Sequence, residues 1–195
     1  AFFVRYHLSG LPTVIDPAKF RLSIGGHVEK PLELSLASLK RACFTETFGP
    51  TGFDIPYPEA DRIAFEEASY GPATVEREIA DPDHRTWVAE EQDGTLVGYC
   101  HVGPGKLPHP EFREGDGELY QLYLLRRAQG SGLGRQLLDV GLDWLEARGR
   151  PVWLGVWSLN LRAQAVYAAR GFEIVGGYQF AVGDWRDDEF IMRKG

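Results

Sequence analysis

The amino-acid sequence predicts a mixed α/β fold built around a single sheet. Short strand patterns run through residues 86–90, 95–102 and 119–125. A long helical pattern at 132–148 lies between strand patterns at 119–125 and 152–157, and such a strand–helix–strand crossover implies a locally parallel pair. Antiparallel strand signals at 172–175, 178–182 and 189–193 close the chain.

Residues 1–34 are turn-rich. Short apolar runs at 2–4 and 20–24 are punctuated by Leu11–Pro12, Asp16–Pro17, Gly25–Gly26 and Pro31. A helix is expected at about 35–47, because Leu36, Leu39 and Cys43 share one face and Gly49–Pro50 ends the run. Two short helices are expected at 59–69 and 73–80, the second stopped by Asp81–Pro82. Residues 86–90 and 95–102 flank Gln92, Asp93 and Gly94, a hairpin signal. A polar loop rich in Pro and Gly follows at 103–117, then the strand at 119–125. In the helix at 132–148, Leu133, Leu137, Val140 and Trp144 form one stripe, widened by Leu138, Leu142 and Leu145. A strand at 152–157 and a helix at 161–170, stopped by Gly171, lead into the closing strands.

The 195 residues fit one domain with an appendage: an amino-terminal extension at 1–33 and a catalytic-sized domain at 34–195. A content of 44% hydrophobic and 25% charged residues is that of a folded chain. The net charge of −7 argues against nucleic acid as a partner, because backbone neutralisation needs clustered Lys and Arg, and it suits a cationic substrate. No apolar run approaches the ~18 residues of a membrane span, so no membrane partner is expected. The amino terminus shows no secretory pattern, and Cys43 and Cys100 form no C-x-x-C pair. Free thiols in a reducing cytoplasm are the expectation. His84, His101 and His109 lack metal-ligand spacing, so no metal is expected. Oligomeric state is open, a homodimer included.

The chemistry concentrates at residues 122–135. A strand runs through Arg126 and Arg127 into Gln129, Gly130, Ser131, Gly132, Leu133 and Gly134, and Arg135 opens the long helix. Glycines let a ligand approach the backbone, and a helix's first turn offers unpaired N–H groups at its positive end. No Asp or Glu occupies residues 119–138, so no side-chain anion competes there. Residues 130–135 therefore read as a pyrophosphate cradle. A Walker loop is excluded because no Lys follows the last glycine, and a dinucleotide fingerprint fails because Arg135 stands at its third glycine. A glycine-rich turn without a ligand is the plainer alternative.

The spacing Gln129-x-x-Gly132-x-Gly134 resembles the acetyl-CoA signature of GNAT-superfamily N-acetyltransferases. Asn160, Tyr167 seven residues later, and then Gly171–Phe172 resemble that family's second signature. The resemblance covers about residues 34–194, and the tail from Gly176 to Lys194 is similar to polyamine-type bacterial members. It implies a GNAT acyl-CoA N-acyltransferase fold with an atypical amino-terminal extension. It also implies acetyl-CoA as cosubstrate and a small-molecule primary amine as acceptor. Backbone groups of Leu122, Tyr123 and Leu124 would hold the pantetheine arm, with Gly130 to Arg135 around the pyrophosphate and the Asn160 amide on the arm. Seven residues are about two helical turns, so Asn160 and Tyr167 share a face.

An alkylamine with a pKa near that of Lys is neutral in only about one molecule in two thousand at pH 7, so a base is required. Glu118 is the candidate, placed by strict strand alternation on the face of Tyr120, Leu122 and Leu124; a solvated carboxylate is the alternative. Many members of the family carry a Glu in the strand at 152–157, where this chain has Gly155. Tyr167 is the candidate acid toward the leaving thiolate; a core tyrosine is its alternative. A backbone N–H within 122–124 is the candidate oxyanion donor. Trp153 and Trp157 share a strand face around Gly155 and read as aromatic core. Asp184, Asp187, Asp188 and Glu189 read as either an attractor of polycations or a solvated acidic loop. A CoA-binding module without turnover and an acetyltransferase of peptide amines are the competing functions.

Residues 1–40 resemble the opening of the molybdopterin-binding domain of sulfite-oxidase-type enzymes, through Phe3, Arg5 and His7, with Tyr6 where Asn is usual. The molybdenum-ligating Gln-Cys-x-Gly-Asn context is missing around both Cys43 and Cys100, so no molybdopterin is expected. This segment reads as a fusion or chimeric start that supplies a substitute first strand at about 19–25.

Overall fold

A computed structural model describes residues 3–5, 22–24, 32–34, 36–91 and 95–195, with side chains from residue 36 onward. Strands β1 (Phe3–Arg5), β4 (Arg85–Glu90), β5 (Leu96–Pro104), β6 (Gly117–Leu124), β7 (Val152–Trp157), β8 (Glu173–Val182) and β9 (Trp185–Lys194) form one sheet in the order β1-β4-β5-β6-β7-β9-β8. Among the described residues, only the β6–β7 pair is parallel. Strands β2 (Leu22–Ile24) and β3 (Leu32–Leu34) make a separate antiparallel pair. The strand expected at 19–25 thus does not join the main sheet; its edge beside β4 is taken by β1. The expected turn at Gln92, Asp93 and Gly94 lies outside the described residues.

Helix α4 (Leu133–Glu146) connects β6 to β7 across one face of the sheet. Leu133, Leu137, Leu138, Leu142 and Leu145 are buried there against Trp87, Ala89, Cys100, Leu119 and Leu154. The opposite face carries α1 (Leu36–Phe48) and α3 (Pro72–Ala80), which bury Leu36, Leu39, Cys43 and Val75 against Val88, Leu96 and Tyr99. Strand β4 shows the sorting: Trp87 and Ala89 go to α4 and Val88 to α1, as period-2 alternation requires. Because both faces are covered, β5 is buried from Leu96 to Gly103 and reads as a continuous apolar run. Lys40 on α1 is fully buried and pairs with Glu78 on α3 at 2.5 Å, tying the two helices together. Helix α2 (Glu59–Tyr70) lies between them in sequence, and α5 (Leu161–Ala168) follows β7.

The closing strands differ from expectation. Residues 172–175 and 178–182 are one strand, β8, with a register shift between Ile174 and Gly176. As an edge strand largely exposed on both faces, it lacks the apolar alternation that would have revealed its continuity. Among the described residues, no helix is long and apolar enough to cross a membrane. Cys43 and Cys100 are buried free thiols, and burial pushes Cys43 up to about 12 and Cys100 higher still, so neither is a ready nucleophile.

Candidate active site

Strands β6 and β7 part company halfway. Their pairing covers Gly117–Val152, Glu118–Trp153 and Leu119–Leu154, then stops. Among the described residues, β6 has no strand partner on its β7 side from Tyr120 to Leu124, while β5 still pairs its other edge. The gap opens into a cleft of about 1450 Å³. Leu122, Tyr123 and Leu124 line it along β6, Gly155 and Trp157 along β7, and Asn160 and Tyr167 along α5.

At one end of the cleft is the glycine-rich turn. Gln129, Gly130, Gly132, Gly134 and Arg135 line it, and no acidic residue occupies the first turn of α4. Gly130 and Gly132 hold φ of +81° and +88°, a left-handed backbone that L side chains resist, and a Cβ at either would meet nothing within 4 Å. Both therefore bend the chain, and the space beside them is open. Gly134 differs: its φ is ordinary and a Cβ would fall 3.2 Å from Leu124 Cδ1, so it seats α4 on β6. The Ser131 hydroxyl donates to the Ala128 carbonyl at 2.6 Å and accepts the Leu133 N–H at 3.4 Å, and the Leu133 side chain is buried in the core. Arg135 is exposed with no ion pair among the described residues, while Arg127 is paired to Glu91 at 2.8 Å.

Asn160 caps α5: its Oδ1 accepts the Ala163 N–H at 3.0 Å, which leaves the amide NH₂ as the end that can donate. Tyr167 is 9% exposed, packs edge-on against Phe172, and hydrogen-bonds to no side chain among the described residues. Burial holds its phenol well above the ordinary value, so it is protonated at neutral pH.

Glu118 is 5% exposed and accepts the Lys106 N–H at 2.7 Å. Burial raises its pKa to about 7, against the lowering effect of the Lys106 and Leu107 backbone N–H groups and the Lys106 charge. Its placement corrects the alternation expected from sequence. In the β5–β6 register, Leu119 faces Val102 and Gln121 faces His101, so Tyr120 is an extra residue, a bulge. The bulge flips the phase: Leu119, Leu122 and Leu124 all pack toward α4, and Glu118 lies on the other face with Tyr120.

Three of the four tail acids, Asp187, Asp188 and Glu189, lie on a strand, and Asp184 lies in the exposed turn before it. Asp187 and Glu189 lie on β9 and line the cleft, while Asp184 and Asp188 are exposed. Asp187 accepts from the Tyr57 hydroxyl at 2.5 Å and from Trp185 Nε1 at 2.9 Å. Glu189 accepts from the Tyr178 hydroxyl at 2.5 Å, and burial raises its carboxyl above the ordinary range. Aromatic rings of Phe44, Tyr57, Phe65, Tyr70 and Phe180 wall this end. Trp153 is core, donating from Nε1 to Asp116 at 2.9 Å, whereas Trp157 lines the cleft and meets Phe53 edge-on at 4.6 Å. The tyrosines of this wall carried no spacing signal; only the glycine inside an apolar strand, Gly155, hinted that other groups approach there. Among the described residues, no group of three His, Cys, Asp or Glu could hold a metal.

The chain is similar to known N-acetyltransferases. The chain is 30% identical over 170 residues to an uncharacterized N-acetyltransferase encoded in the pepI 3′ region of Lactobacillus delbrueckii subsp. lactis, covering 85% of this chain and 92% of the relative. It is 39% identical over 106 residues to the N-alpha-acetyltransferase RimI of Mycobacterium tuberculosis, covering 54% of this chain and 62% of that one. The fold is similar to the PaiA N-acetyltransferase from Thermoplasma acidophilum in complex with coenzyme A, with a TM-score of 0.60 at 21% identity over 82% of this chain and 89% of that one. The sequence pattern of the Acetyltransferase (GNAT) family matches residues 37–172, so the chain belongs to this family of acetyl-CoA-dependent N-acetyltransferases.

Proposed function

We propose that the chain transfers the acetyl group of acetyl-CoA to a primary amine of a small molecule, a polyamine among the candidates, by direct attack in a ternary complex. The observation that carries this reading is the continuous cleft that joins the glycine turn, the unpaired edge of β6, and Glu118. Backbone N–H groups of residues 130–135, with Arg135, fit a pyrophosphate. The free edge at Leu122, Tyr123 and Leu124 fits the amides of a pantetheine arm, which would add to β6 as a strand does. The Asn160 NH₂ is a further donor to that arm.

Glu118, with a pKa near neutrality, takes one proton from the acceptor ammonium. The neutral nitrogen then forms the C–N bond as the C–S bond breaks, with a backbone N–H of residues 122–124 facing the carbonyl oxygen. The leaving sulfur receives the Tyr167 phenolic proton, and the phenol is restored by the second proton that the nitrogen sheds. The products are the amide, the free thiol and one proton on Glu118 that passes to solvent. Carboxylates Asp187 and Glu189 and the aromatic wall support a cationic acceptor with an apolar body.

A peptide amine is the second reading, favoured by the relationship to an N-alpha-acetyltransferase. Thiol release from acetyl-CoA, measured with spermidine, 2-phenylethylamine and a free-N-terminal peptide, tests both. Faster release with the small amines is expected. Preference for the peptide would establish the second reading, and no release on any amine would contradict both.

A further inference from the structure

Gly155 lies mid-strand in β7, opposite Ile191 of β9. A Cβ built on it would fall 2.6 Å from the Tyr178 hydroxyl and 2.7 Å from Glu189 Oε2, so any side chain at 155 would displace both groups. The two come from other strands. Tyr178 on β8 is directly opposite Glu189 on β9, and Glu189 is directly opposite Trp157 on β7. Glu118 stands on the other side of β7, opposite Trp153. Trp153, Gly155 and Trp157 share one face by strand alternation, so Glu118 and Glu189 flank the same face of β7 from its two neighbours. Between them β7 contributes no polar side chain.

We infer that Glu189, held by Tyr178 in the space that Gly155 leaves empty, is the acceptor-anchoring residue of the site: it accepts a hydrogen bond from the incoming alkylammonium and holds that nitrogen beside Glu118. The inference rests on the acetyltransfer reading above and extends it to the acceptor subsite. Two like-charged carboxylates on one small face favour a cation between them. The remaining groups are consistent with that division of labour. The Tyr178 hydroxyl occupies one Glu189 oxygen and leaves the other for substrate. Asp187, the next inward-facing acid on β9, is already engaged by Tyr57 and Trp185. Glu118 is faced by the Lys106 and Leu107 backbone and the Lys106 charge from the loop after β5, by Glu189 from β9 and by Tyr178 from β8. Tyr120, beside it on β6, turns its hydroxyl to the Pro104 carbonyl.

The test uses the full chain with acetyl-CoA and the amine of the panel above that turns over fastest. Glu189→Gln is expected to raise KM for the amine roughly tenfold, the loss of a hydrogen bond to a charged group. Its effect on kcat should be smaller, and KM for acetyl-CoA should be unchanged. The acidic limb of the pH profile of kcat/KM should move to lower pH, because Glu118 loses a like-charged neighbour. Gly155→Ala keeps both carboxylates but pushes Glu189 from its seat, and should raise the amine KM in the same direction. An unchanged amine KM and an unmoved acidic limb in Glu189→Gln would overturn the inference while leaving acetyltransfer intact. Loss of acetyl-CoA affinity in the same variant would make Glu189 a structural residue and overturn it too. A wild-type chain that releases no thiol with any amine would instead contradict the acetyltransfer reading itself.

Discussion

Leu119 and Leu122, three positions apart on one strand, pack toward the same helix. Strict alternation would put them on opposite faces; the extra residue at Tyr120 is what brings them together. The same bulge lies where β6 stops pairing with β7, so the strand turns its phase at the point where the cleft opens. Glu118, just before the bulge, and Leu122 and Leu124, just after it, line one cleft from different faces of β6.

Glu118→Gln is expected to lower kcat/KM by about 10²–10⁴-fold at pH 8, the usual contribution of a positioned base, and by less below pH 7, where wild-type Glu118 is itself largely protonated. Rate profiles between pH 5.5 and 9 check this; an equal loss at every pH would contradict the base role.

The same variant has a stability signature. The Glu118 pKa is raised from 4.5 to about 7 by burial, so folding favours its protonated form. That contribution is complete below pH 4.5 and disappears as pH rises through 7. Denaturant titrations should show wild type losing on the order of 3 kcal/mol relative to Glu118→Gln across that interval. A constant difference would place the carboxylate in water.

Tyr167→Phe should reduce kcat by about 10²-fold or more and leave coenzyme A affinity and Tm nearly unchanged, because its hydroxyl bonds no side chain among the described residues. Single-turnover kinetics with calorimetric binding separates the two. Wild-type kcat in the variant would reject the acid role.

Asn160 caps α5, and in the proposed complex its NH₂ donates to the cofactor arm. Asn160→Asp keeps the helix cap and removes the NH₂, so stability should hold while coenzyme A binds more weakly. Asn160→Ala should lose about 1 kcal/mol of stability as well. Equal coenzyme A affinity in wild type and Asn160→Asp would remove the amide from the site.

Much of this was legible in sequence because local pattern and tertiary burial agree. Helix α4 carries its buried leucines at helical spacing, and Asn160 and Tyr167 are two turns apart on a helix that does form. The local structure of residues 129–135 was legible for the same reason: a strand, a glycine turn and a helix start follow in order. What escaped was set by register. A bulge at Tyr120 has no composition signature, so Glu118 was grouped with Leu122 and Leu124, which turn to the opposite face. The edge strand β8 was split because exposure on both faces erased its alternation. Glu189 reaches the space over Gly155 only because two strands distant from β7 in sequence pair in one particular register.

The central claim is that residues 130–135 hold a diphosphate while the unpaired edge of β6 holds the arm attached to it. A crystal structure of the chain with coenzyme A tests this most directly. The account expects the pyrophosphate within hydrogen-bond distance of the backbone N–H groups between Gly130 and Arg135, and the pantetheine arm alongside Leu122, Tyr123 and Leu124 between β6 and β7. A nucleotide bound elsewhere, or a cleft in which β6 and β7 stay paired past Leu119, would contradict it.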